Sequence, residues 1–266
     1  MQFKYEAVVK TSSERNDFFL ERYKSRKELK TEAKELLRGN WKEAILLNAI
    51  PVILMIIGVV ITLISFFIIQ QRTDTFYDIG INYNSYETSY TEDLWSTMIG
   101  VISTLLTVGI SYTFLDWLRN PAMRIEPFKH AFQAFTKKYF LGTLLIYIFT
   151  GFFVFLWTIL LVVPGMIKAI SYSQAYFIYK DRKTLSENGK VSSLDCITES
   201  RKMMKGYKWE YFVLQLSFIG WGILSILSLG IGFLWLNPYA NATYAAFYNN
   251  LTENSTFDES VENLLV

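Results

Sequence analysis

Long stretches without a charge alternate along this chain with stretches crowded with them. Residues 44–69, 94–115, 139–167 and 211–252 carry no Asp, Glu, Lys or Arg over 26, 22, 29 and 42 positions. A helix needs about 20 apolar residues to cross a ~30 Å hydrocarbon core, and three of the stretches meet that length once. The fourth, at about 1.5 Å per residue, would reach roughly 63 Å, twice the core, so the chain must turn back within it. Asn237-Pro238 is the breaker in that stretch, because proline removes a backbone donor and clashes with the preceding turn. The pattern predicts a helix over about 211–236 and a return over about 238–251.

The charged stretches set the number of crossings. Segment 119–138 brings Arg119, Arg124, Lys129, Lys137 and Lys138, and segment 180–208 has eight Lys and Arg. Both read as inside, so an even number of crossings lies between them. Residues 139–163 supply one. The chain is expected to bend at Pro164-Gly165 and to cross again over about 164–179, a piece of ~24 Å that must tilt or thin the bilayer. Segment 71–93, with Arg72 against Asp74, Asp78, Glu87, Glu92 and Asp93, reads as the external face. Both termini then lie on the cytoplasmic side.

Three apolar stripes at helical spacing precede these spans. They are Leu29, Ala33, Leu36 and Leu37; Phe128, Ala131, Phe132 and Phe135, opened by Pro127; and Leu194, Ile197, Met203 and Met204, over about 192–205. Such stripes describe helices lying in the headgroup layer, and the first is open to a second reading, a helix packed on its own chain. Trp41, Tyr139 and Trp209 follow them at positions suited to the interface. The expected fold class is therefore all-α, a polytopic transmembrane helical bundle. Its six spans form three hairpins, each preceded by an amphipathic interfacial helix, over about 26–118, 119–181 and 190–252. Residues 1–25 form a cytoplasmic extension, and the acidic tail 253–266 is expected to be disordered.

Composition adds exclusions. With 52% hydrophobic residues, a mean hydropathy of +0.22 and a net charge of +2, the averages decide little. One cysteine, Cys196, excludes an intramolecular disulfide, and one histidine, His130, excludes a His-rich metal cluster. HExxH, GxSxG, P-loop and CxxC patterns are absent from the sequence. No catalytic, metal or cofactor residue is assigned, and no nucleic-acid partner.

The return segments hold small residues four apart, Ala169/Ser173, Ser171/Ala175 and Ala242/Ala246, a spacing that lets helices approach closely. A second reading joins Tyr172, Gln174, Tyr176, Asn237, Tyr239, Asn241 and Tyr244 as the lining of a polar substrate cavity, with Pro164, Gly165 and Pro238 as hinges. Lys168 either snorkels to the outer interface or meets an anionic headgroup in that cavity. Asp116 and Arg119, three apart, are expected to form a local ion pair.

The ordered motifs SRKMMKG, LQLSFIGW, LGIGFLWLNPY and AAFY, with VVPGMIKAISYSQAYF and KELKTEAKELLRGNW before them, resemble the bacterial family known as domain of unknown function 975. The similarity covers about residues 26–251; Asn237 and Asn249-Asn250 depart from the family's pattern. The resemblance implies a multi-pass protein of the cytoplasmic membrane, chiefly of Gram-positive bacteria, and supplies no reaction or substrate. The expected function is a non-enzymatic membrane protein that binds or transports an amphipathic substrate, a lipid or a membrane-active peptide. Its partners are membrane lipids and a peptide or protein. The alternative is a structural or regulatory scaffold that recruits partner proteins.

Overall fold

A computed structural model describes residues 23–78, 90–186 and 191–265, which are helical with no strand among them. The chain opens with α1 (Arg26–Leu37), then runs through the long α2 (Trp41–Asp78) and α3 (Tyr90–Arg119). A short α4 (Pro127–Ala131) and a 3-10 turn (Gln133–Phe135) lead into α5 (Phe140–Leu160), α6 (Val162–Tyr172) and α7 (Ala175–Leu185). The last part comprises α8 (Ser193–Met203), α9 (Lys208–Leu227) and α10 (Phe233–Leu265). Residues 1–22 and the centre of the expected external loop lie outside the described residues, and the flanks of that loop belong to α2 and α3.

Among the described residues, four helices are long and apolar enough to cross a membrane: Trp41–Ile68, Thr97–Arg119, Phe140–Leu160 and Lys208–Leu227. They are not equivalent. The apolar window of α3 is 50% buried and that of α2 only 6%, so α3 is the central helix while α2 turns its side chains outward. Tyr112, Phe114, Leu115 and Trp117 of α3 form the middle of the main core, with Ile146 of α5, Phe177 and Ile178 of α7 and Ala245 and Tyr248 of α10 around them.

Both expected turns move. In the last apolar stretch the chain reverses at residues 228–232, and Pro238 lies inside α10. The cause is a Schellman closure: Gly230 N–H donates to Ser225 C=O at 2.9 Å and Leu229 N–H to Ile226 C=O at 3.0 Å. Leu229 and Gly230 take φ of 55° and 87°. Pro238, five residues into its helix, withdraws a single ladder bond. In the middle stretch the chain reverses at Leu161, in extended backbone at φ −161° and ψ 140°, and Pro164 falls in the first turn of α6. There its missing donor has no partner to lose.

The two turns share one device. A Cβ on Gly165 would sit 2.3 Å from Thr158 Oγ1, and a Cβ on Gly232 would sit 2.5 Å from Ser225 Oγ. Each glycine thus lets its helix press against a hydroxyl residue seven positions back.

The remaining differences follow from packing. The first stripe is buried, but against the protein: Leu29, Ala33 and Leu37 are fully covered and Leu36 nearly so, because α1 lies on α10. The second is split, with Ala131 buried and Phe128 and Phe132 exposed. In the third, Ile197 and Met204 are buried and Leu194 is exposed. The tail is helical, since no glycine or proline after Pro238 stops α10 before Leu265.

Candidate functional site

The site grows from α1. Ser25 and Glu28 form a capping box, the Ser25 hydroxyl accepting from Glu28 N–H and the Glu28 carboxylate from Ser25 N–H at 2.7 Å. Hydrogen bonding of the carboxylate to the Ser25 backbone N–H, then to the Ser25 side chain, holds the Glu28 carboxyl below its usual range. The buried stripe then seats α1 on α9 and α10: Leu29 shares a core cluster with Tyr211, Leu214, Phe218, Phe247 and Leu251. Lys24 N–H donates to Asn250 Oδ1 at 3.1 Å, tying the helix start to the far end of the sequence.

Seating α1 leaves its basic side along the aromatic residues of α9 and α10. Lys30 Nζ lies 4.4 Å from the Phe218 ring centroid and Lys34 Nζ 5.8 Å from that of Tyr239. Beyond Tyr239 a groove of about 440 Å³ opens between α1, α2, α9 and α10. Lys34 sits on its rim; Trp41, Trp221, Leu224, Trp235, Leu236 and Tyr239 form its walls. Trp221 is 61% exposed and Trp235 51%, so the groove opens sideways, away from the bundle. A polar cleft of about 450 Å³, lined by Thr31, Lys34, Glu35, Arg38 and Trp41, adjoins it. Lys34 and Trp41 belong to both.

The cavity residues expected from the sequence do not converge. Tyr239 lines the α1 groove. Tyr172 and Tyr176 line a separate cleft of about 330 Å³ with Thr104 of α3 and Tyr147 and Thr150 of α5. Gln174 is buried, its amide Nε2 donating to Ser173 Oγ at 2.8 Å. Asn241 Nδ2 donates to Asn48 Oδ1 of α2 at 3.0 Å, which makes it a helix-joining residue. Tyr244 lies among rings, tilted at 5.6 Å from Tyr211 and edge-on at 5.8 Å from Phe218. Asn237 is half-buried near the start of α10. Lys168 lies 4.4 Å from the Trp157 ring beside the α5–α6 turn, apart from both clefts. Sequence reasoning missed Arg38, Trp221 and Trp235 and gave Trp41 only an interfacial place; the four-residue spacing of Lys30, Lys34 and Arg38 was the available signal.

The charges at the other end of α3 are structural. Asp116 and Arg119 pair across to α7 instead of with each other: Lys180 Nζ is 2.5 Å from Asp116 Oδ1, and Arg119 forms two bonds to Asp181 at 2.6 and 2.9 Å. Tyr248 Oη of α10 donates to Asp181 Oδ2 at 2.8 Å and Gln133 Nε2 to Asp116 Oδ2 at 3.0 Å. Lys180 also donates to the Tyr112 carbonyl. Every ionised group here has a partner, so the cluster locks α3, α7 and α10 together. His130 Nδ1 accepts from Glu126 N–H at 3.1 Å and so serves its own helix. Among the described residues no group of three or more His, Cys, Asp or Glu comes together as a metal site. Cys196 is buried, which pushes its thiol up to about 11.

No curated protein and no solved structure matches the chain. The model of a family described as protein of unknown function, DUF975, matches residues 23–181 and 158–255. With that match running through α1, the groove and both turns, the chain belongs to the DUF975 family.

Proposed function

We propose that this chain is a non-enzymatic, multi-pass protein of the cytoplasmic membrane that takes an amphipathic molecule from the bilayer into the space beside α1. In this reading the bundle crosses six times as three hairpins, with α6–α7 and the apolar part of α10 as the short return crossings and both termini on the cytoplasmic side. The observation that carries it is the junction at Lys34 and Trp41, where an apolar groove open to the side meets a polar cleft. Ligand sites are mostly apolar with a few placed polar groups, and this pair of spaces has that composition for a molecule with a tail and a head. The test is reconstitution: purified protein in liposomes should bind or translocate labelled lipids or membrane-active peptides, and failure with both classes removes the reading. Topology is checked with single cysteines placed in 180–208, which should react only from the cytoplasmic side.

A scaffold role is the second reading, favoured by one observation. α10 continues past Leu251 to Leu265 as a helix carrying Glu253, Asp258, Glu259 and Glu262. At about 1.5 Å per residue this extension reaches roughly 20 Å, long enough to meet a partner. Crosslinking from this segment should then recover a reproducible partner.

A further inference from the structure

The charges around the groove name its ligand more narrowly. Lys30 and Lys34, four residues apart, share one side of α1, and Arg38, in extended backbone just past its end, lines the polar cleft with Lys34. None of the three forms a salt bridge among the described residues. The acids that could have neutralised them are engaged elsewhere: Glu28 in the capping box and Glu32 with Lys24 at 3.0 Å. Glu35 is the one carboxylate lining the polar cleft, against Lys34 and Arg38. Like charges at four-residue spacing repel, and burial together with Lys34 and Arg26 holds the Lys30 ammonium below its usual range.

The walls of the groove discriminate among tails. A peptide would bring backbone donors and acceptors into the space, and the groove has few free groups to meet them; the Ser225 hydroxyl already donates to the Trp221 carbonyl at 2.8 Å. An acyl chain asks for no hydrogen bonds. The volume of about 440 Å³ lies in the ~300–1,000 Å³ range of small-molecule sites.

We propose that the groove holds one anionic phospholipid, its phosphate against Lys34 and Arg38 and an acyl chain along Trp41, Trp221, Trp235 and Leu236. The inference rests on the reading that an amphipathic molecule enters beside α1, and it adds the charge of the head. Two cations near an anionic headgroup should together favour it by roughly thirtyfold over a zwitterionic one.

The experiment uses the full chain in phosphatidylcholine vesicles doped with phosphatidylglycerol whose acyl chains are brominated, since bromine quenches neighbouring tryptophan. A parallel set carries brominated phosphatidylcholine. The signal lost in W221F/W235F, both with largely exposed rings, is the groove's share. That share should be quenched at a much lower fraction of phosphatidylglycerol than of phosphatidylcholine. The preference should vanish in K34Q/R38Q and survive in K34R/R38K. Equal quenching by the two lipids in the wild-type chain, or a preference intact in K34Q/R38Q, overturns the inference while lipid entry itself stands. Absence of quenching by either lipid overturns both the inference and the reading beneath it.

Discussion

The α5–α6–α7 unit and the α9–α10 unit start alike and finish differently. Each reverses where a glycine presses on a hydroxyl seven residues earlier, Gly165 on Thr158 and Gly232 on Ser225. Each return helix then reaches a tyrosine, a small residue, an amide and an alanine: Tyr172-Ser173-Gln174-Ala175 in one, Tyr239-Ala240-Asn241-Ala242 in the other. The first return breaks there into α6 and α7; the second continues unbroken. Neighbours explain the difference. At the break, Ser200 of α8 stands in for the missing ladder, accepting from Gln174 N–H at 3.2 Å and donating to the Ser171 carbonyl at 2.8 Å. At Asn241 the neighbours bond the side chain and leave the ladder whole: its amide donates to Asn48 Oδ1 at 3.0 Å and accepts from the Ser111 hydroxyl at 3.5 Å. Proline decides neither case, since the helix with Pro238 inside it is the intact one.

Five substitutions test this contrast, in falling order of effect. Lys180→Met should cost about 3–5 kcal/mol, because it strips the partner from Asp116 and from the buried Tyr112 carbonyl beside the broken return. Thermal unfolding in detergent reads it, and a loss below 1 kcal/mol would show that α7 is not pinned by this pair. Gly232→Ala should cost about 1–3 kcal/mol by overpacking, and Gly165→Ala less. The new Cβ meets the Ser225 Cα at 2.7 Å in the first case and the Thr158 Cα at 3.0 Å in the second. Equal melting temperatures for the two would remove the asymmetry. Ser200→Ala should cost about 1–2 kcal/mol and raise hydrogen exchange at residues 171–175 specifically, by leaving a donor and an acceptor unpaired. Unchanged exchange there would mean that Ser200 does not support the break. Leu229→Gly should stabilise by about 0.5–1 kcal/mol, because it relieves a left-handed residue that lacks glycine's freedom. A lower melting temperature would place the value of Leu229 in its side chain.

Local signals in the sequence were read well. The uncharged runs became helices, Pro127 opens α4 as its position suggests, and the stripe Leu29, Ala33, Leu36 and Leu37 is the buried face of α1. That periodicity says which face is covered and not by what, so it leaves headgroups and the protein's own helices both open for α1, and the structure puts α10 there. The turn at residues 228–232 is hidden in the sequence because proline is the stronger breaker signal, whereas the reversal is set by the left-handed Leu229 and Gly230 and by the close approach that Gly232 allows. Of the site, Tyr239 was legible. The groove joins α1 to helices nearly two hundred residues away, and no spacing rule reaches that far.

The bond from Lys24 to Asn250 joins residues 226 positions apart. A ribosome needs on the order of ten to fifty seconds to cover that distance, so the first helix is made long before its seat exists. Until the final pair has been inserted, Leu29 and Leu37 have nothing of their own chain to cover them. Assembly therefore closes from the two ends, and in a chain stalled or truncated before α10 the apolar stripe of α1 is left without its seat.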